Sequence, residues 1–135
     1  MKKITILIAE DHQLVREAWE FFFNSDNRFQ LIAQCTTGKE AIEKSLQLQP
    51  DVVIMDINLP DISGIEATEQ ILKFLPGSKI LGASMHTRPE YVQKIMEKGA
   101  CGYITKNVSG EEIFKAVLEI HAGRKYICTE ISNGN

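Results

Sequence analysis

What constrains this chain most is the alternation of short, nearly continuous apolar runs with longer segments of helical period. Ile4 to Ala9 and Val52 to Met55 contain almost no polar residue, the pattern of strands buried on both faces of a parallel sheet. After the first run a helix is expected with Leu14, Val15, Ala18 and Phe22 on one face, ending near Asn24-Ser25-Asp26-Asn27. A second strand from Phe29 to Cys35 leads into a helix carrying Ala41, Ile42, Ser45 and Leu46, which Pro50 stops, because proline disfavours helical geometry in the residue before it.

Asp51 to Asp56 reads as the third strand, followed by a loop with Pro60 and Gly64 and a helix with Ile65, Thr68, Ile71, Leu72 and Leu75. Pro76-Gly77 turns the chain into a fourth strand, Lys79 to Ser84. Pro89 suits the first turn of the next helix, and Gly99 suits a left-handed cap at its end. Gly102 to Thr105 is the fifth strand. Ser109 and Glu112 form a capping box for a last helix with Ile113, Phe114, Val117 and Leu118, running to about Gly123. Five strands alternating with five helices predict an α/β domain, its parallel sheet covered by helices on both faces. The tail after Cys128 is mostly polar and reads as the start of a linker, so the domain is placed at residues 1–126 and the tail at 127–135.

Length and composition narrow the function. A chain of 135 residues with 44% hydrophobic and 24% charged residues suits one globular domain. A net charge of -3 gives no global attraction for nucleic acid or an anionic membrane. Cys35, Cys101 and Cys128 lack paired spacing, which fits a reducing cytoplasmic setting better than a disulfide framework. No apolar run approaches the roughly 20 residues of a membrane span, and Glu10-Asp11 breaks the first run too early for a secretory signal. The expectation is a soluble protein.

In such sheets ligands bind beyond the carboxyl ends of the strands. Those ends carry Glu10 and Asp11, then Asp56, Ser84 and Lys106. Two unit charges about 4 Å apart repel by roughly 4 kcal/mol at an effective dielectric near 20, so three converging carboxylates call for a cation. Hard oxygen donors with room for water and phosphate favour Mg²⁺, held by Glu10, Asp11, Asp56 and a backbone carbonyl near Asn58. Asp56 is the best nucleophile, Lys106 the stabiliser of phosphoryl oxygens, and Ser84 a hydroxyl able to bond a phosphoryl group. Each residue has a plainer reading: Asp56 as a turn cap, Lys106 as a structural ion pair, Ser84 as a turn residue, Tyr103 as sheet packing. His12, His86 and His121 are scattered and carry no expected metal or catalytic role. Trp19 and Phe21-Phe22-Phe23 read as core plus one partly exposed aromatic.

The set closely resembles the response regulator receiver family of two-component signalling. The matching residues are Glu10-Asp11, the stretch from Asp56 to Gly64, Ser84, and Lys106 after Tyr103, over about residues 3 to 123. The resemblance implies a flavodoxin-like (β/α)5 fold and transfer of a phosphoryl group from a histidine kinase to Asp56, with Mg²⁺ as cofactor. It also implies a switch in which Ser84 moves toward the phosphate and Tyr103 rotates inward. Met85 is bulky where many receivers carry a small residue, and with Asn58 it is expected to modulate access to Asp56 and the rates there. Asp11-His12-Gln13-Leu14-Val15-Arg16-Glu17 and Ser84-Met85-His86 further resemble regulators with a LuxR-type helix-turn-helix output. Such an output domain lies outside this chain, so DNA contact is expected only through it, and a phosphorylation-dependent homodimer is left open.

Two other functions compete. An aspartate-nucleophile phosphatase usually has a second aspartate two residues on, where Asn58 stands here. A phosphate-independent interaction module would keep the fold without the chemistry. A calcium loop fails at Pro60 and Asp61, and no GxGxxG follows the first strand. The expectation is a signalling switch that catalyses only its own phosphorylation and dephosphorylation.

Overall fold

The computed structural model describes residues 2–85 and 88–128. His86 and the tail beyond residue 128 lie outside the described residues. Strands β1 (Ile4–Ala9), β2 (Phe29–Cys35), β3 (Val52–Asp56), β4 (Lys79–Ser84), β5 (Gly102–Thr105) and β6 (Tyr126–Ile127) form one sheet. Its order is β2-β1-β3-β4-β5-β6, and every pairing is parallel. The crossovers are helices α1 (Gln13–Asn24), α2 (Gly38–Leu48), α3 (Gly64–Phe74), α4 (Pro89–Glu97) and α5 (Gly110–His121).

Alternate residues of each strand face opposite sides, so the sheet divides two cores. Ile6, Ile8, Ile54 and Ile104 pack with Trp19 and Phe23 of α1 and Ile113, Val117 and Ile120 of α5. Leu7, Val53, Met55 and Ile80 pack with Ala41 of α2, Ala67 and Ile71 of α3 and Ile95 of α4. All five residues of β3 are buried, as a central strand between two helical layers requires.

The helix ends follow the local rules. Thr37, Ser63 and Ser109 cap α2, α3 and α5 by accepting from the backbone N–H three residues on. Pro89 opens α4, and Gly99 beyond its end has φ +108°, a conformation glycine adopts without steric penalty.

Three expectations are corrected. On α1, Val15 and Phe22 of the expected face do pack against the core, but Leu14 and Ala18 are exposed, and Trp19 and Phe23 are the fully buried pair. The buried stripe is thus rotated toward the residues with the larger apolar area. Leu46 of α2 also lies at the surface. Finally, the sheet has a sixth strand. Tyr126 N–H donates to Cys101 O at 3.1 Å and Cys128 N–H to Tyr103 O at 3.0 Å, so the segment expected to begin a linker first completes the free edge of β5. Cys128 is buried, and Tyr126 Oη donates to Glu112 Oε2 at 2.7 Å.

Candidate functional site

Register places the site residues. Ala9 pairs with Met55, so the next residues, Glu10 and Asp56, emerge side by side from β1 and β3. Asp56 pairs with Ala83 and Ser84 with Thr105, which brings Ser84 and Lys106 to the same rim. The Ile57 N–H donates to Ala83 O at 3.0 Å and Lys106 N–H to Ser84 O at 2.9 Å, tying the rim to the strand ends. The loop after Asp56 folds back through Gly64, whose N–H donates to Ile57 O at 3.0 Å. A side chain at Gly64 would collide with the Asp56 carbonyl, so a residue larger than glycine would push the loop off the strand end.

At the centre of the rim, Lys106 Nζ lies 2.9 Å from Asp56 Oδ2 and 2.9 Å from Glu10 Oε2. All three residues are buried, Lys106 at 8% exposure and the two acids at 0%. Asn58 N–H donates to Asp56 Oδ1 at 2.9 Å, fixing the carboxylate plane so that Oδ2 faces the ammonium. Burial pushes the Asp56 carboxyl up to about 6, with the Glu10 charge adding to the rise. The Asn58 amide and the Lys106 ammonium oppose it only in part. Desolvation therefore exceeds the stabilisation these two partners give.

Ser84 is fully buried and hydrogen-bonds with the hydroxyl of Tyr103. Tyr103 is itself fully buried, so its ring lies inside the fold rather than on its surface. Burial raises its phenol and the bond to Ser84 draws it back. Met85 is 64% exposed, and Asn58 is also exposed. Neither lies in the core.

His12 was expected, as one of three scattered histidines, to have no metal or catalytic role, yet it lies in the cluster. Its Nδ1 is 2.9 Å from Glu10 Oε2, 3.6 Å from Asp11 Oδ1 and 3.1 Å from Lys106 Nζ. Its position just before α1 turns the ring back over the rim, while its own N–H donates to Glu10 Oε2 at 3.0 Å. The only sequence signal was adjacency to Glu10-Asp11; the ring direction depends on where α1 begins.

The residues fit a divalent cation. Ligand atoms of Glu10, Asp11, His12 and Asp56 all lie within 4.8 Å of one another. Three carboxylates face one ammonium, and the buried Glu10 Oε1 has no hydrogen-bond partner among the described residues. A buried carboxylate oxygen left without a donor is costly, and a metal ion would satisfy it. Hard oxygen donors of this kind suit Mg²⁺.

A family model for the response regulator receiver domain matches residues 6–118. The transcriptional regulatory protein DegU of Brevibacillus brevis is 34% identical over 131 residues, 97% of this chain and 56% of that protein. The oxygen regulatory protein NreC of Staphylococcus carnosus (strain TM300) is 37% identical over 123 residues, 90% of this chain and 57% of that protein. Among solved structures, a LuxR-family two-component response regulator from Aurantimonas sp. SI85-9A1 superposes with a TM-score of 0.92 at 31% identity, covering 98% of this chain and 94% of that one. The receiver domain of the putative response regulator NarL from Mycobacterium tuberculosis gives 0.88 at 26% identity, over 92% and 100% of the two chains. This chain spans little more than half the length of the curated relatives it matches. Among the described residues no helix is long and apolar enough to cross a membrane. A match over most of the sequence, on a parallel sheet whose strand ends gather this acidic rim, shows that the chain belongs to the response regulator receiver domain family.

Proposed function

We propose that the chain is a phosphorylation-switched signalling domain, in which Asp56 accepts a phosphoryl group from a sensor histidine kinase. The observation that carries this reading is the buried contact chain from Glu10 through Lys106 to Asp56, both links 2.9 Å long. An Asp56 oxygen attacks phosphorus, the P–N bond to the kinase imidazole breaks, and its electron pair returns to the leaving ring. Lys106 donates to the phosphoryl oxygens as negative charge develops on them. Asn58 N–H holds Oδ1, so the carboxylate meets the donor in one orientation. Mg²⁺, held by Glu10, Asp11, Asp56 and the Asn58 carbonyl, would neutralise the carboxylates and polarise the phosphoryl group when bound.

Asp56 has no accessible surface, so a donor reaches it only when neighbouring side chains move aside. Met85 and Asn58, exposed and close in the chain to Ser84 and Asp56, modulate this access. After transfer, Ser84 gives up its bond with Tyr103 for one to the phosphoryl group. The fold thus shifts between two populations by the differential affinity of the phosphoryl group for each. The domain catalyses only its own phosphorylation and dephosphorylation. The receiver reaches Cys128, past the expected boundary at residue 126, and the chain beyond it leads toward a DNA-binding output domain, through which a cytoplasmic regulator would control transcription. Phosphorylation-dependent homodimerisation belongs to the same reading.

Intact mass after incubation with acetyl phosphate or phosphoramidate tests the proposal. A Mg²⁺-dependent gain of one phosphoryl group, absent in Asp56→Asn, is expected. No gain with either donor, and none in Met85→Ala, would overturn it in favour of a phosphate-independent interaction module.

A further inference from the structure

His12 occupies a place the carboxylate reading does not use. Its Nδ1 sits 2.9 Å from an acceptor, Glu10 Oε2, and 3.1 Å from a donor, Lys106 Nζ. One ring nitrogen cannot donate to the first and accept from the second at once. A cation between the ring and the carboxylates removes the conflict, because Nδ1 and the carboxylate oxygens then all act as electron-pair donors. The other observation is independent of the ring: Glu10 is fully buried and its Oε1 has no hydrogen-bond partner among the described residues. The His12 side chain is 57% exposed, so it can turn onto an ion without disturbing the core.

We propose that His12 is a nitrogen ligand of the cation site and gives it a selectivity for transition-metal ions that carboxylates alone do not supply. The inference rests on reading the rim as a cation site, but not on phosphoryl transfer. Imidazole adds far more affinity for ions such as Ni²⁺ than for Mg²⁺, which prefers oxygen. The site would therefore respond to the metal available as well as to the phosphodonor.

The test titrates the whole, untagged chain with Ni²⁺ and with Mg²⁺ by calorimetry, comparing wild type with His12→Gln and with His121→Gln as a control. His12→Gln should weaken Ni²⁺ binding by at least about 10-fold, the scale on which disturbing metal-site residues alters affinity, and Mg²⁺ binding by less than about threefold. His121→Gln should change neither. Pulsed EPR of the Mn²⁺-loaded chain gives a second readout: a directly coordinated ¹⁴N coupling in wild type that His12→Gln abolishes. An equal loss for both metals, no loss for either, or bound Mn²⁺ without that coupling would overturn the inference. The phosphoryl gain at Asp56 is read separately by mass, so failure here leaves that reading standing, and failure there leaves this one testable.

Discussion

Two aspartates five residues apart at opposite ends of the central strand meet opposite fates. Asp51, just before β3, accepts on Oδ2 from Thr5 N–H at 2.8 Å and from Thr5 Oγ1 at 3.1 Å, and its own N–H donates to Thr5 Oγ1 at 2.8 Å. That small closed circuit latches β1 to β3. Asp56, at the carboxyl end, is buried beside a second carboxylate, and its carboxyl is pushed up to about 6. The amino end is satisfied by the protein alone, whereas the carboxyl end is left in electrostatic debt. Parallel strands bring all their carboxyl ends to one rim, so the debt collects where a cation and a phosphoryl group can relieve it.

The contrast can be broken most forcefully at Lys106. Lys106→Met removes the ammonium that lies 2.9 Å from both buried acids, and breaking a buried pair in this way costs about 3–5 kcal/mol. Urea unfolding without divalent cation should show that loss, with Mg²⁺ restoring part of it. A loss under about 1 kcal/mol would mean that the rim is far less strained than the geometry indicates.

At the satisfied end, Asp51→Ala strands the Thr5 N–H and hydroxyl, at a cost of about 2 kcal/mol. Here Mg²⁺ should give no relief beyond what it gives wild type. Relief specific to this variant would erase the distinction between the two ends.

Asp56→Asn should have the opposite sign and a smaller size, stabilising the metal-free fold by about 1–2 kcal/mol near pH 8. The sign follows from linkage. A carboxyl raised from 3.8 to about 6 binds its proton better folded than unfolded. Its stabilising contribution is therefore complete below about pH 4 and lost as pH rises through about 6. The advantage of Asn over Asp should shrink across the same window on acidification. Destabilisation near pH 8 would show that the Lys106 pairing outweighs burial.

The smallest effect is expected at Asp61. Desolvation raises its carboxyl, but backbone N–H donation, led by Lys39 and Gly38, outweighs it and holds the group down at about 2, with contacts of 2.9 and 2.7 Å. A depressed carboxyl stabilises the fold above the unfolded value of 3.8, and that contribution is lost as pH falls toward 2. Asp61→Asn should remove the part of neutral stability that this charge supplies, a modest loss because the carboxylate is exposed and screened by solvent, and should flatten acid unfolding between about pH 4 and 2 as the two forms converge. A large neutral effect would mark the clamp on α2 as structural beyond its charge.

Much of this was legible in the sequence because the relevant forces are local or periodic. The unbroken apolar runs of β1 and β3, Pro89 and Gly99 at the ends of α4, and the Ser109–Glu112 pair at the start of α5 each identify an element from neighbouring residues. Glu10, Asp56, Ser84 and Lys106 were legible as a group once the strand ends were aligned. Strand β6 was not. Two residues between a basic turn and a polar tail have no period of their own, and they pair only because β5 offers the carbonyls of Cys101 and Tyr103. The face of α1 was only partly legible: of Leu14, Val15, Ala18 and Phe22, Val15 and Phe22 do pack on the core, but Trp19 and Phe23, at the same helical spacing, lie deeper. His12 was unreadable for a third reason: its ring is aimed by the start of α1 rather than by any spacing to its partners.

The sequence by itself determined the order of elements, the parallel sheet and the acids and lysine at its rim, because hydrophobic period and chain polarity act along the chain. Only the tertiary structure decided how those groups meet: Asp56 desolvated against Glu10, Lys106 shared between the two, Tyr103 turned inward onto Ser84, and His12 set over the acids. Burial and close contact between residues far apart in sequence fix those energies, and neither is written in any local stretch of the chain.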